Sequence, residues 1–302
     1  MTLYKLSSNG LLELYEKPFK LEKDLQRLFE QHLTTLTRLE FVSTEFSIQN
    51  QRLDTLAYDH ENKSFVIIEY KRSSHASVLD QGVSYLNTLL RFKADFILEY
   101  HEKTGKLLSK NQVDWSQSKV IFISPNFTTF QKQAVNFKDL NIELWEVKRY
   151  EGDILTISSI KQSKNAPSIK TSVLTDNSEL SLVAKEIKTY SEEDLLNSKP
   201  DDILELYDIF KQAICQLVPD CEAVATKLYM AFKKDNHNIL DIEIQNKQLK
   251  LFINAKLGTL DDPKELARDV SNIGHYGNGD YEIKVSNTQH LEYIMSLIKQ
   301  VL

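Results

Sequence analysis

The sequence predicts two consecutive units: an α/β unit built on a mixed central sheet, then a smaller α+β unit. Three observations point there. Apolar runs of strand length alternate with segments of helical period through the first half of the chain. Residues 161–200 then change character, with seven serines, two prolines and one aromatic residue, which reads as a linker with room for a helical piece over 179–188. A fresh pattern of helix, short strands and closing helix fills the rest. The expected boundaries are therefore 1–160, a linker over 161–200, and 201–302.

Residues 1–16 alternate loosely through Leu3, Leu6, Leu11, Leu12 and Leu14, which predicts a small hairpin turning at Asn9-Gly10. Pro18 precedes a helix over 21–36, with Leu25, Leu28, Phe29, Leu33 and Leu36 as its buried stripe. Glu22, Gln26 and Glu30 fall four apart and share another face. Such a face is ordinarily solvated surface, and Glu22 is kept as a site candidate. Strands are expected over 39–49 and 52–58. Residues 65–71 (FVIIEYK) are apolar on both faces, as in the central strand of a covered sheet. On its two-residue period Glu69 and Lys71 point one way and Tyr70 the other. A helix over 78–93 turns Val78, Leu79, Val83, Leu86, Leu89, Leu90 and Phe92 inward and sets Gln81 beside Tyr85. Residues 96–100 fit a short strand or a helix end. A strand over 119–124 stops at Pro125-Asn126, a helix follows over 128–138, and 142–147 reads as the final strand of the unit.

In the second unit Asp201-Asp202 are expected to cap a helix to about residue 217. Residues 228–232, 239–245 and 248–254 read as an antiparallel meander. Pro263 opens a short helix reaching Val270, residues 272–280 form a glycine-rich loop, 281–285 is a strand, and a helix closes the chain.

The chain has 302 residues, is 41% hydrophobic and 26% charged, and carries a net charge of −6. That composition is globular. No apolar run has membrane-spanning length, and the first residues lack the pattern of a signal peptide. Cys215 and Cys221 have no metal or redox spacing and read as reduced thiols of a cytoplasmic protein. The acidic balance argues against broad coating of nucleic acid, though a local basic patch still allows a nuclease. The seven histidines are scattered, and His75 near Lys71 reads as a surface residue. Lys71, Arg72, Arg91 and Lys93 are candidates for a basic rim. Lys132, Lys138, Lys148 and Arg149 read as ordinary solvated charges.

The chemistry concentrates in residues 52–85. Phosphodiester hydrolysis needs an activated water and charge stabilisation at phosphorus, which Mg²⁺ or Mn²⁺ on hard oxygen ligands can supply. Asp54 and Glu69 would be the ligands, with the Tyr70 carbonyl a third. Lys71 would aim at the same spot. Two carboxylates beside it favour its charged form, and so an electrostatic role over that of general base. Asp, a gap, then Glu-x-Lys is a loose pattern. The same residues read equally well as an ion pair of Glu69 with Lys71 at a strand end.

Asp54 with Glu69-Tyr70-Lys71 resembles the PD-(D/E)XK nuclease superfamily. Gln81-Gly82-Val83-Ser84-Tyr85 is similar to the Q-x-x-x-Y motif of its RecB-like branch. The resemblance implies a restriction-endonuclease-like α/β fold and places Gln81 and Tyr85 where they position the site and the DNA backbone. It also implies a glutamate from the early helix at the metal, with Glu22 as best match and Glu30 as competitor. Leu53 stands where the name-giving proline would be, a position that varies in the superfamily. The stretch LGTLDDP with ELARDVSNIGHYGNGDYEIKVS resembles an uncharacterised domain attached to nuclease-like modules and in places labelled a predicted transport protein. Nothing here has the apolar length that label would need.

In that unit Arg268, His275, Tyr276, Gly277 and Gly279 form a polar loop that could hold a phosphate through backbone N–H groups. The plainer reading, a turn needing positive φ at glycine, is preferred. The sequence reading is thus a Mg²⁺- or Mn²⁺-dependent DNA endonuclease in defence, restriction or repair. Nucleic acid is its partner, DNA ahead of RNA, with no membrane role and with a homodimer left open. The alternatives are a nuclease-like protein that binds nucleic acid without cutting, and an oligomeric sensor or scaffold.

Overall fold

The computed structural model describes residues 2–7, 10–72, 77–163, 165–169, 179–234, 237–275 and 277–302. It divides into two compact units, Met1–Thr189 and Tyr190–Leu302. The first opens with β1 (Leu3–Ser7) and β2 (Gly10–Leu14), paired antiparallel from Leu3↔Leu14 to Ser7↔Gly10. Asn9 of the expected turn lies outside the described residues.

The single helix expected over 21–36 is two, α1 (Glu22–Gln31) and α2 (Leu33–Thr37), broken at His32, whose φ of −125° leaves the helical region. Threonines follow the break, and Thr37 Oγ1 donates to the Leu33 carbonyl at 2.7 Å. Such side-chain bonding competes with a continuing helix.

Six strands follow: β3 (Glu40–Ile48), β4 (Gln51–Asp59), β5 (Ser64–Tyr70), β6 (Lys119–Ser124), β7 (Ile142–Tyr150) and β8 (Ile154–Ile160). They lie side by side in chain order. The β5–β6 and β6–β7 pairs are parallel and the others antiparallel. The expected mixed sheet is therefore present. Every residue of β5 is buried, because the sheet is covered on both sides. Leu25 and Phe29 of α1 share a core with Val66, Ile68 and Tyr70. On the other side α3 (Val78–Arg91) and α4 (Lys93–Thr104) bring Leu86, Leu89, Phe96 and Tyr100 against Phe65 and Ile67. Alternate β5 residues thus serve opposite cores, as the strand's period requires. Each large apolar side chain buried this way contributes about 1.5–3 kcal/mol.

Residues 96–100 belong to α4, which settles their two readings in favour of helix. α5 (Thr129–Ala134) is capped by Thr128, whose Oγ1 accepts from the Gln131 N–H. The strand at 142–147 is not the last of its unit: β7 continues to Tyr150 and pairs with β8.

The expected linker over 161–200 is corrected. Ile169 is buried in the α3-side core, and so are Val183, Ala184 and Ile187 around α6 (Glu179–Glu186). Asn87 Nδ2 of α3 donates to Glu179 Oε1 at 3.1 Å. Lys188 N–H donates to the Ser116 carbonyl at 3.3 Å. Residues 170–178 lie outside the described set.

The second unit contains α7 (Glu192–Leu196) and α8 (Asp201–Leu217). Pro200, not an aspartate, occupies the N-cap of α8, and Asp201 and Asp202 stand in its first turn, where acids suit the helix dipole. Strands β9 (Glu222–Ala225), β10 (Met230–Lys234), β11 (His237–Ile244), β12 (Leu249–Ile253), β13 (Arg268–Asp269) and β14 (Tyr281–Val285) form one antiparallel sheet, ordered β13-β14-β12-β11-β10-β9. α8 and the closing helix α9 (Leu291–Ile298) bury its apolar face through Tyr207, Phe210, Ile214, Ile294 and Leu297. No helix forms after Pro263. The Ala267 N–H bonds Asp262 Oδ2 at 2.7 Å instead, and Glu265 takes a left-handed backbone with φ 52°. Among the described residues no helix is long and apolar enough to cross a membrane.

A prediction follows from the corrected boundary. A fragment of residues 1–189 should melt cooperatively. One of residues 1–160, having lost Ile169, Val183, Ala184 and Ile187 from its core, should aggregate or melt well below it. Equal melting of the two by circular dichroism would remove the assignment.

Candidate active site

The register of β4 and β5 creates the site. Their pairing runs from Asp59↔Ser64 to Thr55↔Ile68, so Asp54 and Glu69 are next in line and share a side. That side is the one α3 covers. Gln81 Nε2 of α3 donates to Glu69 Oε1 at 2.9 Å, and Lys71 Nζ reaches the same oxygen at 2.7 Å. Gln81 Nε2 also donates to Tyr85 Oη at 2.8 Å, and Tyr85 Oη donates to the Arg52 carbonyl at 3.3 Å. Asp54 Oδ2 accepts the Tyr70 N–H at 3.0 Å. Asp54, Glu69, Tyr70, Lys71, Gln81 and Tyr85 are therefore brought together. The backbone carbonyl of Tyr70 belongs to the same strand end.

Gly82 makes this approach feasible. A Cβ there would lie 2.5 Å from Ile142 Cδ1 and 3.2 Å from Phe122 Cε2, so its absence lets α3 close on β6 and β7. Gln51, at the start of β4, pins the same helix by donating to Ser84 Oγ and accepting from Thr88 Oγ1, both at 2.8 Å.

The electrostatics follow from crowding. Burial first, then the charge of Glu69, push the Asp54 carboxyl up to about 6, against the opposing pull of the Tyr70 N–H and Lys71. The phenol of Tyr85 is raised by burial and then by Glu69. Glu69 Oε2 is buried without a hydrogen-bond partner. Two like charges and a bare carboxylate oxygen form a site short of positive charge. A divalent cation is what hard oxygens so placed would accept, so the residues fit the metal the sequence implies. Among the described residues no group of three or more His, Cys, Asp or Glu gathers as a metal cage. Mg²⁺ does not require one, since it keeps waters and takes few protein ligands.

The early helix divides its acids. Glu22 Oε1 accepts the Arg72 N–H at 2.8 Å, one residue beyond Lys71. Glu30 Oε1 instead accepts from Thr55 Oγ1 at 2.6 Å, and Thr55 also reaches Tyr70 Oη. Thr55 and Tyr70 belong to the α1 side of the sheet, so Glu30 sits opposite Glu69. Gln26 is buried and donates to the Asp54 carbonyl and to Glu30 Oε1, both at 3.0 Å, and to Thr44 Oγ1 at 3.2 Å. The sequence reading of Gln26 as solvated surface is thereby corrected. Its four-residue spacing with Glu22 and Glu30 was the signal that could have found it. Glu45 is another residue that the sequence reading did not find. Its charge adds to the repulsion on Asp54, and its backbone is left-handed with φ 53°.

The expected basic rim is not assembled. Lys93 Nζ bonds Glu186 at 3.0 Å and lies 5.7 Å over the Trp115 ring, while Arg91 lies 5.9 Å over Phe92. Lys71 and Arg72 remain at the end of β5. His75 lies outside the described residues. In the second unit, Gly277 and Gly279 have packing reasons. A Cβ on Gly277 would meet the Phe252 ring at 2.4 Å, and Gly279 has φ 86° and presses on the Ile253 carbonyl. Arg268 pairs with Glu282 at 3.0 Å and His275 stacks on Phe252, while Tyr276 lies outside the described residues.

No protein-family model matches the chain. A protein from Haemophilus influenzae, described as uncharacterized, is 57% identical over 302 residues, spanning all of this chain and 99% of its own length. Two solved structures align weakly. A repair endonuclease from Pyrococcus abyssi aligns at 15% identity over 42% of this chain and 48% of its own, with a TM-score of 0.26. An EndoMS–dsDNA complex aligns at 14% identity over 48% of this chain and 64% of its own, also with a TM-score of 0.26. In both cases this chain covers less than two thirds of the other protein's length.

A second prediction concerns Asp54. Its folded form holds a proton more tightly than the unfolded chain does, so its contribution to stability is full below about pH 4 and is lost as pH rises through about 6. Asp54→Asn keeps an acceptor for the Tyr70 N–H and removes the repulsion. In chelator at neutral pH it should stabilise the protein by about 1–2 kcal/mol, after allowing for solvent screening. At pH 4 the gain should vanish. Denaturant unfolding at the two pH values checks this, and equal stabilities at neutral pH would contradict it.

Proposed function

The chain belongs to the same family as that Haemophilus influenzae protein, and we propose that its first unit is a metal-dependent nuclease that hydrolyses phosphodiester bonds, with DNA as substrate. The observation that carries this reading is the placement of Asp54 and Glu69 on neighbouring strands. Lys71 and Gln81 are gathered on one oxygen of Glu69 and the other oxygen is left bare.

Asp54 and Glu69 would hold Mg²⁺ or Mn²⁺, with the Tyr70 carbonyl beside them and Glu22 as a further acid near the strand end. The ion would supply Lewis-acid stabilisation of the phosphoryl group and a more acidic water. Gln81 fixes the Glu69 carboxylate, and Tyr85 fixes Gln81 through a hydroxyl anchored on the Arg52 carbonyl. Lys71 has three N–H donors and spends one on Glu69. Another can reach a non-bridging phosphate oxygen as charge builds there. Arg72 and Lys71 together offer positive charge to the backbone of an approaching strand.

A second reading rests on a specific observation. Lys71 and Gln81 on Glu69 Oε1 and the Tyr70 N–H on Asp54 Oδ2 already satisfy one oxygen of each carboxylate, so the same network could serve a nuclease-like protein that binds nucleic acid without cutting.

Cleavage of plasmid and single-stranded DNA with Mg²⁺ or Mn²⁺, with chelator as control, separates them. Asp54→Asn, Glu69→Gln and Lys71→Met should each slow cleavage by about 10²–10³-fold. Gln81→Ala and Tyr85→Phe, which act through Glu69, should cost about 10–100-fold. Cleavage by Lys71→Met at the wild-type rate would sink the mechanism. No cleavage by the wild type on any substrate would leave the binding reading.

A further inference from the structure

One face of the second unit's sheet is covered by α8 and α9, and the alternate side chains point to the other face. There the register sets Lys250 directly across from Lys284, and Arg268 across from Glu282. We propose that this face binds the phosphodiester backbone of nucleic acid through Arg268, Lys250 and Lys284.

The charge arrangement carries the proposal. The Glu282 side chain is only 2% exposed, yet three cations converge on it: Arg268 Nη2 at 3.0 Å, Lys250 Nζ at 3.7 Å and Lys284 Nζ at 3.9 Å. Lys250 also lies 3.8 Å from Glu243. With Glu243 counted, three cations share two carboxylates, which leaves one positive charge in excess within the cluster. Like charges directly opposite each other on a sheet weaken it, and Glu282 and Glu243 offset that repulsion for the facing pair Lys250 and Lys284 only from beneath. The layering supports the same conclusion. The acids sit beneath, at 2% and 15% exposed, whereas the heads of Arg268 and Lys284 stand out at 53% and 49%.

The shape selects the ligand. Small anions are bound in concave sites that bury most of their surface. Cations spread over three strands of a sheet, two of them half-exposed and Lys250 at 23%, suit an extended polyanion, which gains by counterion release at each contact. The net charge of the chain is −6, so a basic overall composition does not account for the patch. The glycine loop adds a ring at its border. His275 lies flat on Phe252, with ring centroids 5.0 Å apart and planes 10° apart, and Phe252 is the register partner of Glu282. Its Nδ1 is buried without a hydrogen-bond partner. The proposal is independent of whether the first unit cuts.

The test uses the full chain in chelator, so that cleavage plays no part. Binding of a short fluorescein-labelled DNA duplex is followed by anisotropy across a salt series. Arg268→Gln with Lys284→Gln should weaken binding by about tenfold and shrink the slope of log affinity against log salt by about 2. Arg268→Lys with Lys284→Arg should bind like wild type. If the double glutamine variant does not fold, Lys284→Gln alone should shrink the slope by about 1. Three results would overturn the proposal: no binding by wild type, an unchanged slope in the glutamine variants, or displacement of the duplex by inorganic phosphate or a free nucleotide as readily as by unlabelled duplex. In a separate assay with Mg²⁺ or Mn²⁺, absence of cleavage by the wild type with duplex binding intact would count against the nuclease reading alone.

Discussion

Two carboxylates held on adjoining strands repel each other, and the first unit is built so that neither can move away. Asp54 is fixed twice: its side chain by the Tyr70 N–H of the neighbouring strand, its carbonyl by Gln26 of α1. Glu69 is fixed by Lys71 from its own strand and Gln81 from α3. The helices that hold these partners are themselves held by the two cores, and β5 is buried along its whole length between them. The repulsion thus persists because the packing around it over-determines the positions, which is how functional sites commonly keep unfavourable local arrangements.

The parts of this design that could be read from sequence are those in which one strong regularity decides the outcome. The run FVIIEYK announces a doubly covered strand, and its two-residue period puts Glu69 and Lys71 on one side. The four-residue spacing of Gln81 and Tyr85 places them together on α3. Where the signal is weak, reading fails for physical reasons. β8 is only half-buried and contains Ser158 and Ser159, so it lacks the apolar signature of β5. α6 buries just Val183 and Ala184 among its apolar residues, in a serine-rich context, and so its place in the core is invisible beforehand. Gln26 and Glu30 look like solvated helix surface because a polar stripe does not reveal that a threonine-lined sheet lies opposite it. The second unit's loop after Pro263 fails differently. A proline followed by helix-forming residues predicts a helix, but Asp262 captures the Ala267 N–H first.

The two units use charge crowding in opposite senses. In the first, two acids are held close on one side of the sheet, which suits the proposed cation. In the second, three cations lie over buried carboxylates, which suits the proposed polyanion. In both, backbone pairing enforces the contact between like charges, by the β4–β5 register in one and the β12–β14 register in the other. A register slip by one residue would turn these side chains to the opposite face, so the same hydrogen-bond ladders that stabilise the sheets also set their chemistry.

Gly82 has a consequence for how relatives of this protein are found. It touches no charged group and performs no chemistry, yet it is the clearance through which Gln81 reaches Glu69. A search pattern written from the reactive side chains alone would leave the position after the glutamine blank. Written from the packing, it favours glycine, because any larger residue would require the Ile142 side chain to shift, and that preference helps separate a helix seated against this sheet from one that merely carries a glutamine and a tyrosine four residues apart.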